Sequence, residues 1–299
     1  MSHASAARPV VGLATCRAVP DLSEDDRLLP PALAVHGLAA EPVVWDDPAA
    51  AWDRYAAVVI RSCWDYHLDV DRFDAWTRHL EARGISTWNP PDVLRWNARK
   101  TYLRELESAG VPAVPTRYPS GTASQDLDDI LEDAGWTEAV VKPVVSASAR
   151  ETWRAGLGRA EDGARFRRLV ARIPLMVQPY LPEIEREGEW SFCFFGGAYS
   201  HAVLKRPRAG DFRVQADHGG AYHGRAAPPS LVDQAAAALA AARRRTVYAR
   251  VDGCVVDGVL RLMELELLEP GLFLAMDPAA PDRFARAIAG ATASARGQE

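Results

Sequence analysis

The chain has 299 residues, 48% of them apolar and 25% charged, and a formal net charge of −5. That length carries two or three units with cores of their own, and the composition excludes a disordered chain or a small disulfide-stapled scaffold. The negative balance excludes a protein that wraps nucleic acid, although a few converging cations can still build a local anion site.

The N-terminal stretch MSHASAARPVVGLAT has no apolar run of signal-peptide length. Nor does any stretch approach the roughly 20 apolar residues of a membrane span. Cys16, Cys63, Cys193 and Cys254 form neither a CxxC pair nor a zinc-type spacing, so reduced core thiols are expected. The expectation is a soluble, cytoplasmic protein without membrane or nucleic-acid partners.

Short apolar runs then alternate with helical patterns. PVVGLAT (9–15), EPVVW (41–45) and YAAVVIRS (55–62) read as strands, with helices near 24–36 and 70–83 closed by Gly37 and Gly84. This rhythm predicts a small parallel α/β sheet of Rossmann-like kind. WNARKTYLRELESAGVPAVPT predicts a connector helix with Asn97 as N-cap and Gly110 with Pro112 as its end. A helix near 125–134, the strand EAVVKPVV and a helix near 161–172 follow. IPLMVQPYL opens a third unit with strands near 189–195 and 199–205, the hairpin ARVDGCVVDGVLRLMELELLEP and an Ala-rich helix after Pro281. The expected domains are 1–98, 99–176 and 177–299.

Only three of the 35 basic side chains are lysines: Lys100, Lys142 and Lys205. A compact point charge is hard to replace by Arg where it meets phosphate in a tight space, so each is a candidate phosphate ligand. Lys142 precedes SASAR, whose small residues, including Ser146 and Ser148, let backbone N–H groups approach an anion. As isolated features, a strand-end lysine or a lysine on a solvated helix face would be the plainer explanation.

In MELELLEP, strand alternation puts Glu264 and Glu266 on one face and Met263, Leu265 and Leu267 on the other. Two like charges side by side are tolerated when a divalent cation neutralises them. The partner strand offers Arg250 and Asp252. A two-residue turn at Asp257 and Gly258 would send Asp252 to the face opposite Glu264, whereas a three-residue loop would bring all four together, and the latter is expected. Three carboxylates and an arginine on one face suit Mg2+ holding phosphate oxygens. Arg61, at a strand end, is a candidate clamp for a substrate carboxylate, and Trp64 in RSCWDY a candidate substrate contact. His218 and His223 are read as loop histidines near the substrate, not zinc ligands. No GxGxxG follows the first strand, which argues against a dinucleotide oxidoreductase.

The ordered set of a connector lysine, a strand lysine, QPYLPEIEREGEW, a Gly-rich loop containing Arg213, and finally RVD with MELE resembles the ATP-grasp superfamily of carboxylate-amine ligases over residues 97–275. The QPYL region is similar to the adenine hinge of glutathione synthetases, and the hairpin to the Mg2+ hairpin of D-alanine–D-alanine ligases. VVIRSCWDY and NPPDVLRWNARKTYLRELESAGVPAVPT resemble the cyclo-ligase subgroup that makes D-cycloserine from O-ureido-D-serine. The resemblance implies an ATP-grasp fold behind an N-terminal α/β domain, with ATP and Mg2+ as cofactors and a small amino-acid-derived substrate. It also implies an acyl-phosphate route to a carbon–nitrogen bond in antibiotic biosynthesis, the alternative being an intermolecular dipeptide or glutathione-synthetase-like ligase.

By the same resemblance, Lys100 and Lys142 with Ser146 and Ser148 hold the α- and β-phosphates, Gln178, Tyr180 and Leu181 meet adenine, and Glu189 takes the ribose. Lys205 and Arg213 reach the γ-phosphate, and Asp252, Glu264 and Glu266 bind Mg2+ beside a catalytic Arg250. Arg61, Trp64, Arg213 and Gly220 contact the substrate. Many relatives carry Asn where Glu266 stands and Gly in the turn after Lys142. A homo-oligomer is compatible with all of this.

Overall fold

The computed structural model describes residues 8–119 and 125–297; the first seven, read above for a leader, lie outside it. β1 (Val10–Thr15), α1 (Leu29–Val35), β2 (Ala39–Val44), β3 (Ala57–Ser62), α2 (Val70–Ala82) and β4 (Thr87–Trp88) build the first unit. Its four strands run parallel in the order β2-β1-β3-β4. β3 is buried along its whole length, as expected for a strand covered on both faces.

The connector differs from its expectation. α3 (Pro91–Asn97) ends where a helix was expected to begin, and α4 (Tyr102–Ser108) follows after a break. Asn97 is therefore no N-cap. It is buried, donating from Nδ2 to Leu265 O at 2.6 Å and accepting from Leu267 N–H at 2.7 Å, which pins the end of the metal-candidate strand. Lys100 lies in the break between the helices.

A central unit contains α5 (Leu127–Ala134), β5 (Glu138–Pro143), β6 (Trp153–Gly156), α6 (Ala160–Val170) and β7 (Leu175–Pro179). Asp126 caps α5 and left-handed Gly135 ends it. The strands form an antiparallel sheet in the order β6-β5-β7, so β7 belongs here and the unit runs past the expected boundary at 176 to Pro179. Its core, including Leu131, Val141, Phe166 and Val177, is separate from the others.

The last unit holds α7 (Glu183–Arg186), β8 (Glu189–Phe195), β9 (Ala198–Arg206), β10 (Ala221–Gly224), α8 (Pro229–Ala241), β11 (Tyr248–Val256), β12 (Val259–Glu266) and α9 (Ala280–Arg296). Five antiparallel strands lie in the order β10-β9-β8-β11-β12. Phe284, Ala285 and Ile288 of α9 share one core with Leu29 and Leu33 of α1 and Val11 and Leu13 of β1, so the C-terminal helix closes the N-terminal unit. All four cysteines are buried free thiols. No described helix is long and apolar enough to cross a membrane.

Candidate active site

The turn joining β11 and β12 is the two-residue one. Val256 pairs with Val259, and Asp257 and Gly258 are both left-handed at φ 51° and 76°, the conformation a tight hairpin of this length requires. The expected three-residue loop is thus incorrect, yet the carboxylates still share a face. Gly253 pairs with Leu262 but Asp252 with Glu264, so Met263 is an extra, bulged residue that shifts the strand by one. Beyond the bulge Arg250 lies opposite Glu266. Oxygens of Asp252, Glu264 and Glu266 fall within 4.8 Å of one another.

Arg250, Glu264 and Glu266 border a cavity of about 410 Å3 to which all three units contribute lining residues. Lys142 reaches into it from β5 and donates to Glu264 at 3.1 Å, with Lys100 3.9 Å from the same carboxylate; the two lysines are only 8% and 9% exposed. Lys100 also donates to Ser146 O at 2.9 Å, tying the connector to the loop after β5. In that loop Ser148, Ala149 and Glu151 have φ of 50°, 55° and 52°, a left-handed conformation that glycine adopts without cost and other residues do not. Lys205 bonds Glu189 across β8 and β9 and lies 3.5 Å from Asp252. Arg250 forks onto Asp252 at 2.7–3.0 Å and reaches Glu266 at 2.8 Å.

Electrostatics separates the carboxylates by their partners. Burial works against the Glu264 anion, but Lys100 and Lys142 overcome it and hold the carboxyl well below its ordinary value. Burial, reinforced by Asp252 and Glu264, pushes Glu266 up to about 7 against the pull of Arg250. Asp252 stays low despite burial because Arg250 and Lys205 flank it, while burial raises Glu189 in spite of Lys205. Such a crowd of carboxylates gains from a hard cation bound through oxygen, so the donor set fits Mg2+. Glu264 and Glu266 line the cavity. Asp252 is only 2% exposed and lies behind them, also accepting from Ser191.

Of the other candidates, Trp64, Ser146, Ser148, Gln178, Leu181, Glu189 and Arg213 line the cavity. Gln178 donates to Thr116 Oγ1 at 2.9 Å. Arg213 already forks onto Asp211 at 2.7 and 3.0 Å, and these hydrogen bonds hold Asp211 well below the usual carboxylate range. Tyr180 bonds Glu185 and stacks under Arg154; its ring is not part of the lining.

Two expected substrate contacts fail. Arg61 is 1% exposed, bonded to Asp26 at 2.8 Å and Pro270 O at 2.8 Å, and lies over the rings of Tyr248 and Phe284. A guanidinium so satisfied and buried is a structural tie, not a clamp. Gly220 is outside the lining, and a Cβ there would meet Val214 O at 2.0 Å; close backbone approach explains it. His218 and His223 also lie outside, their place taken by Tyr222.

Several lining residues escaped sequence reasoning: Tyr66, Tyr102, Glu269 and Phe273. Nothing in their spacing marks them, because they come from a short helical turn, the connector and an irregular segment after β12. Met263 was assigned to the wrong face, since the bulge turns it toward the cavity.

Residues 11–89 match the family model "D-cycloserine synthetase DcsG, N-terminal domain". The cycloserine biosynthesis protein DcsG of Streptomyces lavendulae is 31% identical over 271 residues, covering 85% of this chain and 89% of that protein. The crystal structure of D-cycloserine synthetase DcsG superposes with a TM-score of 0.84 at 30% identity, over 95% of this chain and 99% of that one. A D-alanine–D-alanine ligase from Bacillus anthracis superposes with a TM-score of 0.70 at 16% identity, over 98% and 99% of the two chains, a likeness of fold.

Proposed function

This chain belongs to the DcsG family of ATP-dependent ligases with the ATP-grasp fold, and on that premise we propose that it closes O-ureido-D-serine to D-cycloserine. The observation that carries the reading is the convergence, in one cavity, of Lys100 and Lys142 on Glu264 and of Arg250 on Glu266. Two lysines on a carboxylate in a partly closed cavity suit a phosphate chain that arrives with a divalent cation. The cation, held by Glu264 and Glu266 with Asp252 behind them, would neutralise charge on the phosphates.

The lysines hold the polyphosphate of ATP, while Gln178 and Leu181 border the nucleoside end and Glu189 takes the ribose. A substrate carboxylate oxygen then attacks the γ-phosphorus, ADP leaves, and an acyl phosphate forms. The ureido-oxy nitrogen of the same molecule attacks the acyl carbon and expels phosphate, and water removes the carbamoyl group as carbon dioxide and ammonia. Arg250 sits where negative charge grows on the acyl oxygen, and Lys205 and Arg213 border the departing phosphate. Ring closure needs no second amine pocket, because an intramolecular nucleophile reaches an effective molarity of about 10^5 M or more when well oriented.

Purified protein with ATP, Mg2+ and O-ureido-D-serine is expected to release ADP and phosphate and to form D-cycloserine without added amine. ADP release that depends on a second amino acid, with that amine found in the product, would replace this reading by an intermolecular ligase.

A further inference from the structure

After β12 the chain leaves the ladder, yet six consecutive carbonyls are each held by a side chain. Asn89 Nδ2 donates to Leu267 O at 2.7 Å, Tyr248 Oη to Leu268 O at 2.7 Å and Trp64 Nε1 to Glu269 O at 3.3 Å. Arg61 Nη2 donates to Pro270 O at 2.8 Å, Arg250 Nη1 to Gly271 O at 2.8 Å and His201 Nε2 to Leu272 O at 2.9 Å. Irregular backbone satisfied carbonyl by carbonyl is backbone held in one place. Glu269, on this held segment, lines the cavity, as do Trp64, Tyr66 and Phe273.

Glu269 differs from its neighbours in having no cation of its own. Glu264 is matched by Lys142, Glu266 and Asp252 by Arg250, and Glu189 by Lys205. Among the described residues, none makes a hydrogen bond or ion pair with the Glu269 carboxylate; Glu266, Lys100, Arg250 and Arg61 act on it only through space. A partly buried carboxylate left without a partner is costly unless a cation arrives with the ligand.

We propose that Glu269 receives the α-ammonium of the amino-acid substrate and makes the enzyme select amino acids over deaminated carboxylates. This rests on the reading of the cavity as the place where a substrate carboxylate is phosphorylated. In an α-amino acid the ammonium is one carbon away from that carboxylate, so its seat must adjoin the phosphoryl acceptor. Glu266 and Glu269, three positions apart in the chain, both line this cavity, so the acceptor and the seat share one site. Trp64, Tyr66 and Phe273 line the same cavity, and aromatic rings favour a cation there.

The test measures ADP release from matched pairs, each an amino acid and its deaminated analogue, with O-ureido-D-serine and 3-(ureidooxy)propanoate as the first pair and D-serine, D-alanine and their deaminated forms as others. Wild-type protein is expected to favour the amino member by about 100-fold in kcat/KM, the scale of a site whose buried polar group loses its partner. Glu269→Gln should bring the pair to near equality by raising KM for the amino member, with KM for ATP unchanged, and Glu269→Asp should restore part of the preference. Retained discrimination in Glu269→Gln, or a wild-type enzyme indifferent to the amino group in every pair, overturns the proposal. Turnover of another pair with none of the first would sink the D-cycloserine reading alone, and no turnover of any pair would sink both.

Discussion

At the scale of single residues, two basic side chains that the sequence presents alike do opposite things. Lys142 stands at the cavity with Glu264 as its sole anionic partner among the described residues, so a phosphate can recruit it. Lys142→Met is expected to weaken ATP binding and cut turnover by about 100- to 1,000-fold, the loss of one preorganised charge contact, with the thermal midpoint little changed. Wild-type ATP affinity and turnover in that variant would remove Lys142 from the site. Arg61 is enclosed by Asp26, Pro270 O, Tyr248 and Phe284. Arg61→Ala leaves Asp26 buried without its cation, and a loss of about 3–5 kcal/mol is expected from the urea midpoint. An unchanged midpoint with a raised KM for the amino-acid substrate would return Arg61 to the role first expected of it.

The β11–β12 hairpin shows at the scale of an element how a correct conclusion can rest on a wrong geometry. Which residues share the carboxylate face depends on whether the strands are in or out of phase by one. The sequence offers Asp257 and Gly258 for the turn but no mark for a bulge at Met263. Gly253 makes that bulge possible, because a Cβ there would meet Arg261 O at 2.6 Å and Leu260 Cδ1 at 2.9 Å. Gly253→Ala is therefore expected to raise the Mg2+ concentration needed for activity as well as lower stability. Gly258→Ala, at φ 76° but with open space around it, should cost about 1–2 kcal/mol of stability and leave the Mg2+ requirement alone. If titration with Mg2+ moved equally in both variants, the bulge would not be what aligns Asp252 with Glu264.

At the scale of the whole molecule, the first and last units are interlocked. α9 packs on α1, Asn97 pins β12, and Asn89 bonds Tyr248 O, Leu267 O and Val247 N–H at 2.9, 2.7 and 2.7 Å. One calorimetric transition for these two units is expected, lowered as a whole by Asn89→Ala at about 1–3 kcal/mol for its unsatisfied partners. Two resolved transitions, only one moved by the substitution, would show that they fold apart. The sequence alone determined the parallel sheet, the order of lysines and carboxylates along the chain, and the identity of the hairpin, since these follow from periodicity, turn residues and spacing within a few tens of residues. It could not tell which charges were already neutralised: Asp26 reaches Arg61 across 35 positions, and Lys142 reaches Glu264 across 122. Glu269, which lines the cavity, was accordingly passed over, and Arg61, which the fold buries, was chosen. Whether a charged side chain is a tie or a free ligand is set by what the rest of the fold places within about 4 Å of it, and only tertiary structure decides that.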